Sequence, residues 1–324
     1  MPPRQLDLFG PPPRKDPDFA EDRALAERLP RKLRLGTSSW TFPGWAGIVY
    51  PDGTTERDLA ENGLTLYVRC PLFRTVGIDR SYYRPLERKD LSAYAKQIPP
   101  DFPCVMKVWN EITSRVHPAT RERNPRFLDP SVFLSEVLGP VEDAFAANAG
   151  PFVFEFPPLR REELPPRGAF ADELSRFFAA LPRGPRYAVE LRNRELFTPA
   201  YLEALAAHGV AHVLNFWERM PTIGEQLRAP GVIGTDFTVA RLLIPPGERY
   251  AEKKAEFAPF DHIVTPQPAL HEDVAKLVEA ALAKGAETFV IANNKAEGSS
   301  PLTLRTLARR IVSGPAEPED DVPF

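Results

Sequence analysis

Three carboxylates and three cations stand at or near the ends of short β-branched and aromatic runs: Asp79 in RTVGID, Lys107 in PCVMKVW, Glu155 in PFVFEF, Glu190 and Arg192 in RYAVELR, and Arg241 in DFTVARLLI. Side chains alternate along a strand, so Glu190 and Arg192 share one face, and Lys107 and Trp109 share another. Brought together, such groups suit a site that holds an anion or a polyol while a carboxylate moves a proton. Glu155, Glu190 and Asp79 are the candidate acid/base residues. Lys107, Arg192 and Arg241 are the candidate anion clamp. The amides Asn215, Asn293 and Asn294 and the aromatics Trp40, Tyr83 and Trp109 are candidate substrate contacts. Each also has a plainer reading. Glu190 and Arg192 can form a buried ion pair that only keeps a strand end satisfied. Asn293 and Asn294 can bond backbone, and Trp40, Trp45 and Tyr50 can be a packed foundation for a loop.

Other chemistries have weaker sequence support. Asp79, Glu155 and Glu190 could supply oxygen ligands to Mg²⁺ or Mn²⁺, although no spacing demands it, and the cofactor is otherwise unknown. Of five histidines, His212 opens a strand at the end away from a top-face site, while His208 and His271 fall on helical stretches. Ser38 and Ser39 have no identifiable base, and neither a P-loop nor a nucleophile elbow is present. Cys70 and Cys104 lack a Cys-x-x-Cys spacing and are expected to be reduced, half-buried thiols.

The elements that must position these groups alternate. Eight strand candidates, at 32–39, 74–79, 103–109, 151–156, 186–192, 211–216, 236–244 and 287–294, are separated by helical patterns. The clearest helices are 168–182, 199–209, 268–285 with its stopping Gly285, and 300–312 with Ser300 as N-cap and Pro301 in the first turn. Such repeated units predict an α/β fold, a (β/α)8 TIM-like barrel, with the site at the carboxyl ends of the strands. An open doubly wound sheet is the alternative, but GTSSW replaces the G-x-G-x-x-G that would follow its first strand. The reading is one barrel domain at 31–312, a flexible tail at 1–30 containing a short helical stretch, and an acidic tail at 313–324.

A chain of 324 residues, 43% apolar and 26% charged, can bury a large core. Its net charge of −3 argues against a general polybasic nucleic-acid binder but leaves local contacts open. With no apolar window near the length of a membrane span and no secretory leader pattern, the expected location is cytoplasmic, with no membrane partner.

GTSSWTFPGWAGIVYP (36–51), TVGIDRSYYRP (75–85), FPCVMKVWNEIT (102–113), FVFEFPP (152–158), YAVELRNRELF (187–197), Arg241 and VIANNKAEG (290–298) occur in one order. In that order the chain resembles domain-of-unknown-function family 72, the YecE-like proteins, over residues 33 to 312. The resemblance implies a TIM-like barrel whose reaction is unsettled. This sequence has Val76-Gly77-Ile78-Asp79 where relatives show Val-Glu-Ile-Asn, Glu155 where Gln is usual, and Ser114 where the family has His.

Near the start, QLDLF resembles at every position the pentapeptide by which bacterial polymerases and repair proteins bind the sliding clamp. The resemblance implies that Leu8 and Phe9 fill an apolar pocket, with Leu6 alongside and Gln5 at the rim. The other reading is that these side chains cover the bottom of their own barrel. Two functions follow from the sequence. One is a hydrolase, phosphoester or glycosidic, acting on an anionic small molecule or nucleic-acid fragment, with Glu155 or Glu190 as acid/base. The other is a non-catalytic ligand- or partner-binding module tethered to the clamp.

Overall fold

The computed structural model describes residues 14–314 except Pro118 and Arg249. Its strands are β1 (Leu33–Thr37), β2 (Val76–Ile78), β3 (Cys104–Lys107), β4 (Ala149–Phe156), β5 (Tyr187–Leu191), β6 (Ala211–Phe216), β7 (Phe237–Leu242) and β8 (Glu287–Ala292). Around them lie α1 (Ala20–Arg28), α2 (Glu56–Tyr67), α3 (Arg88–Ala95), α4 (Asn110–Thr113), α5 (Pro130–Phe133), α6 (Gly139–Ala144), α7 (Ala169–Ala179), α8 (Pro199–Ala207), α9 (Ile223–Leu227), α10 (Tyr250–Phe257), α11 (Pro268–Ala283) and α12 (Ser300–Ser313). All ladders are parallel, in the order β1-β8-β7-β6-β5-β4-β3-β2, so the expected (β/α)8 barrel is the fold.

Burial on both faces explains why the strands read as near-continuous apolar runs. Val105, Val153, Ala188, Ala211, Val213, Phe237, Val239, Phe289 and Ile291 form one cluster inside the barrel. The intervening residues, such as Phe152, Phe154 and Val189, join the larger core under the helices. This parity fixes the top layer: two residues beyond Val105, Val153, Ala188, Val213 and Val239 come Lys107, Glu155, Glu190, Asn215 and Arg241, all inward.

The seam between β1 and β2 closes through one bridge, Leu35 with Phe73, and the Arg74 amide donating to the Leu35 carbonyl at 2.9 Å. Gly36 permits that approach, because a Cβ there would lie 2.1 Å from the Thr75 carbonyl oxygen. Gly36→Ala is therefore expected to cost about 1–3 kcal/mol by overpacking, read as a lower urea midpoint at unchanged slope. At the opposite end Glu287 pairs with both Arg34 and Arg186, whose guanidiniums lie 6.0 Å from the Phe289 centroid and 5.5 Å from the Phe237 centroid. A charged plug thus closes the bottom.

The helical stretch of the lead-in is α1, fastened to α12 by a bidentate pair of Arg305 with buried Asp22 at 2.6 and 2.9 Å. The N-cap of α12 is Ser299 rather than Ser300, because the Ser300 amide and hydroxyl both donate to Asn294 Oδ1 at 2.8 Å, drawing Ser300 into the first turn. Both thiols are fully buried rather than half-buried, and burial raises each well above its ordinary range.

Candidate functional site

The top layer of the barrel gathers all six charged candidates into one network. Glu155 is its hub: Lys107 Nζ lies at 2.6 Å, Arg192 Nη2 at 2.8 Å and Arg241 Nη1 at 3.1 Å from Oε2. Glu190, 0% exposed, meets Arg192 at 2.7 Å and Arg241 at 2.6 Å. Asn215 donates to Glu190 at 3.4 Å and to the Leu191 carbonyl at 2.7 Å. Asp79 takes the other arm of Arg241, with Nη2 at 3.1 and 3.0 Å, and stands 3.9 Å from Lys107. Three negative and three positive charges cancel, which is the condition for holding ions this deep.

The network grades from buried to open. The Arg241 and Arg192 side chains are 2% and 4% exposed, whereas that of Asp79 is 27% exposed. Burial by itself would raise the Glu155 carboxyl, but the charges of Arg192, Lys107 and Arg241 outweigh it and hold the group far below the ordinary carboxylate range. Glu155 is thus a fixed anion, and it has no proton to give near neutral pH. Burial would likewise lower Arg241, yet Asp79, Glu190 and Glu155 push it still further up.

Two aromatic residues outside the sequence-based list complete the mouth. Tyr82, on the short helix Asp79–Tyr82, lies under Lys107 Nζ at 4.4 Å from its ring centroid. Trp217 stacks on the Arg192 guanidinium at 3.8 Å. Among the described residues, Arg192 Nε and Nη1 and Trp217 Nε1 are buried without a hydrogen-bond partner. Trp217 had a signal, since it sits two residues beyond Asn215 on the inward parity. Tyr82 had none, because strand periodicity stops where β2 turns into a helix.

The remaining sequence candidates make other contacts. Trp40 is 8% exposed and packs edge-on to Tyr94 at 5.3 Å. Tyr83 is 75% exposed beside Tyr82. Trp109 carries Arg126 over its ring at 5.3 Å. Asn293 accepts from the Lys295 amide at 3.0 Å, and Asn294 ties its loop together by accepting from Trp45 Nε1 at 3.3 Å and from Ser300. Among the described residues no group of three or more His, Cys, Asp and Glu is placed to hold a metal ion. Oxygens of Asp79, Glu155 and Glu190 face guanidinium or ammonium groups. Gln5, Leu6, Leu8 and Phe9 lie outside the described residues.

Behind β6, His212 bonds Tyr201 Oη at 2.9 Å and Gln226 Oε1 at 3.1 Å, and Gln226 Nε2 donates to the Asn215 carbonyl at 2.8 Å. Burial lowers the imidazole from 6.5 to about 4, against the Gln226 bond that favours its charged form. The unfolded chain therefore binds a proton that the folded protein refuses. This stabilisation is complete above pH 6.5 and is lost as pH falls toward 4. At 1.36 kcal/mol per unit the group is expected to account for about 3 kcal/mol across that window. The check is the pH dependence of unfolding in wild type minus that in His212→Gln, which should carry this slope.

The model of the family described as Protein of unknown function DUF72 matches residues 34–322. A DUF72 family protein from Thermotoga maritima MSB8 superposes with a TM-score of 0.59 at 18% identity, covering 87% of this chain and 99% of that one. One from Enterococcus faecalis V583 gives 0.57 at 14% identity, covering 88% and 97%. No curated protein matches. No described helix is long and apolar enough to cross a membrane.

Proposed function

The chain belongs to the DUF72 family, and from that premise we propose that it is an enzyme whose barrel mouth binds a phosphate-bearing substrate and hydrolyses a phosphoester, brought to DNA by its clamp-binding-like pentapeptide. The observation that carries this reading is the set of buried donors without partners, Arg192 Nε and Nη1 and Trp217 Nε1, beside Lys107 and Arg241. Unmet guanidinium donors are a strong and directional demand for an oxyanion.

The neutral network supports a mechanism by exchange. An incoming phosphate accepts from the unpartnered Arg192 donors, replaces Asp79 on Arg241 Nη2 and shares Lys107, which frees the Asp79 carboxylate to take a proton from a water molecule. The water oxygen bonds to phosphorus, the ester P–O bond breaks, and the leaving oxygen is protonated from solvent. Glu155 stays ionised and holds the three cations in place, so it fits a positioning role better than that of general acid. Glu190 is screened from substrate by Arg192 and Arg241 and fits the same role.

Calorimetric titration with thymidine 5′-monophosphate tests the binding half: Lys107→Met is expected to weaken it about tenfold, the value of one charge-assisted contact. Hydrolysis of bis(p-nitrophenyl) phosphate, in chelator and again with Mg²⁺ or Mn²⁺, tests the chemistry. Asp79→Asn is expected to keep nucleotide binding and to slow release of nitrophenol at least tenfold. Binding without turnover in every condition would leave a binding module and overturn the enzyme reading.

A further inference from the structure

A groove lies on the same face of the barrel. The loops after β4, β5, β6 and β7 enclose a groove of about 750 Å³, lined by Arg160, Arg161, Arg194 and Arg219 beside the apolar side chains of Leu159 and Pro246. It also contains two carboxylates, of which Glu218 is 3.7 Å from Arg219 and Glu195 is 3.4 Å from Asn193 Nδ2. Four guanidiniums against two carboxylates make it basic in a chain whose net charge is −3. Arg160, Arg161, Arg194 and Arg219 are all exposed.

The groove is lined by the segments that immediately follow the mouth residues. Asn193 follows Arg192 directly, and Glu218 follows Trp217, so the segments that present the unpartnered donors form its near wall. Across the barrel, Tyr83 follows β2 and is 75% exposed. The top face thus offers arginines in an open groove, an anion-seeking centre and an aromatic ring on the far side. Arginines beside apolar surface suit a ligand in which phosphates alternate with flat bases, because a base can lie on apolar or aromatic surface while its phosphates meet guanidiniums. A bare polyphosphate has no use for the apolar positions.

We infer that this groove binds the backbone of a single-stranded nucleic acid whose reacting phosphate lies at the mouth. The inference rests on the phosphate site proposed above and names its substrate class. The probes are a fluorescein-labelled decamer of deoxythymidine, its uridine counterpart, a polyphosphate of the decamer's charge, and thymidine 5′-monophosphate, measured by anisotropy and calorimetry on the full chain. The decamers are expected to bind more tightly than the mononucleotide and to weaken with salt. The triple variant Arg161→Ser/Arg194→Ser/Arg219→Ser should lose roughly tenfold or more in decamer affinity, and about 2 in the slope of log affinity against log salt, at about 0.7 for each single-strand phosphate contact. Its mononucleotide affinity and melting temperature should stay unchanged, since these side chains are exposed and lie outside the mouth. Preference for one decamer over the other tells DNA from RNA. A mononucleotide that binds as tightly as the decamers overturns the groove and leaves the mouth standing. A wild-type chain that binds neither decamer nor mononucleotide overturns both. Equal binding of a polyphosphate of the same charge overturns the nucleic-acid assignment.

Discussion

Arg241→Met is expected to cost the fold about 3–5 kcal/mol, the range for removing one partner from a buried ion pair. At a few degrees per kcal/mol for a large domain, unfolding should fall on the order of 10 °C. Arg241 holds Asp79, Glu155 and Glu190 at once, at 3.0, 3.1 and 2.6 Å. Its loss leaves three carboxylates facing Lys107 and Arg192 alone, in a layer where Glu190 has no access to water. The charge balance also predicts the rescue. Arg241→Met combined with Glu190→Met returns the layer to two carboxylates and two cations, and well-packed apolar replacements of a buried pair are near neutral. The double variant should therefore recover at least half of the lost melting temperature, measured calorimetrically. A double variant no more stable than the single one would assign the loss to packing of the long Arg241 side chain.

Period two made most of this legible in advance. All eight strands follow from apolar runs, and the inward parity of Lys107, Glu155, Glu190 and Arg241 follows from Val105, Val153, Ala188 and Val239 two residues earlier. What parity does not carry is the partner of each charge. That Arg241 reaches Asp79 across the mouth depends on the curvature of the closed barrel, and hence on the Gly36 seam. Loop residues escape for a related reason. Tyr82 and Tyr83 are adjacent and equivalent on paper, and only the turn after β2 places one under Lys107 and the other in solvent. The same curvature decides roles. Glu155 reads as an acid/base candidate from its strand-end position, but three converging cations hold it ionised.

The pentapeptide is best weighed against the bottom of the barrel. If Leu6, Leu8 and Phe9 served to cover an open apolar end, that end would present apolar surface. Instead Glu287 bridges Arg34 and Arg186 there, with the aromatic rings of Phe289 and Phe237 behind the guanidiniums. Apolar side chains placed on that plug would strip water from three charges, which disfavours self-docking. Recruitment by an external pocket is therefore what we propose for the segment. Phe9→Ala in the full chain is then expected to weaken binding to an immobilised sliding clamp roughly a hundredfold, since losing a buried aromatic anchor costs about 3 kcal/mol. Asp7→Ser, which keeps the pentapeptide pattern, should bind like wild type, and on this proposal both variants should melt with the parent. A clamp that binds wild type and Phe9→Ala alike, or neither, would remove the link to DNA without touching the mouth, where Arg192 and Trp217 still present their unpartnered donors.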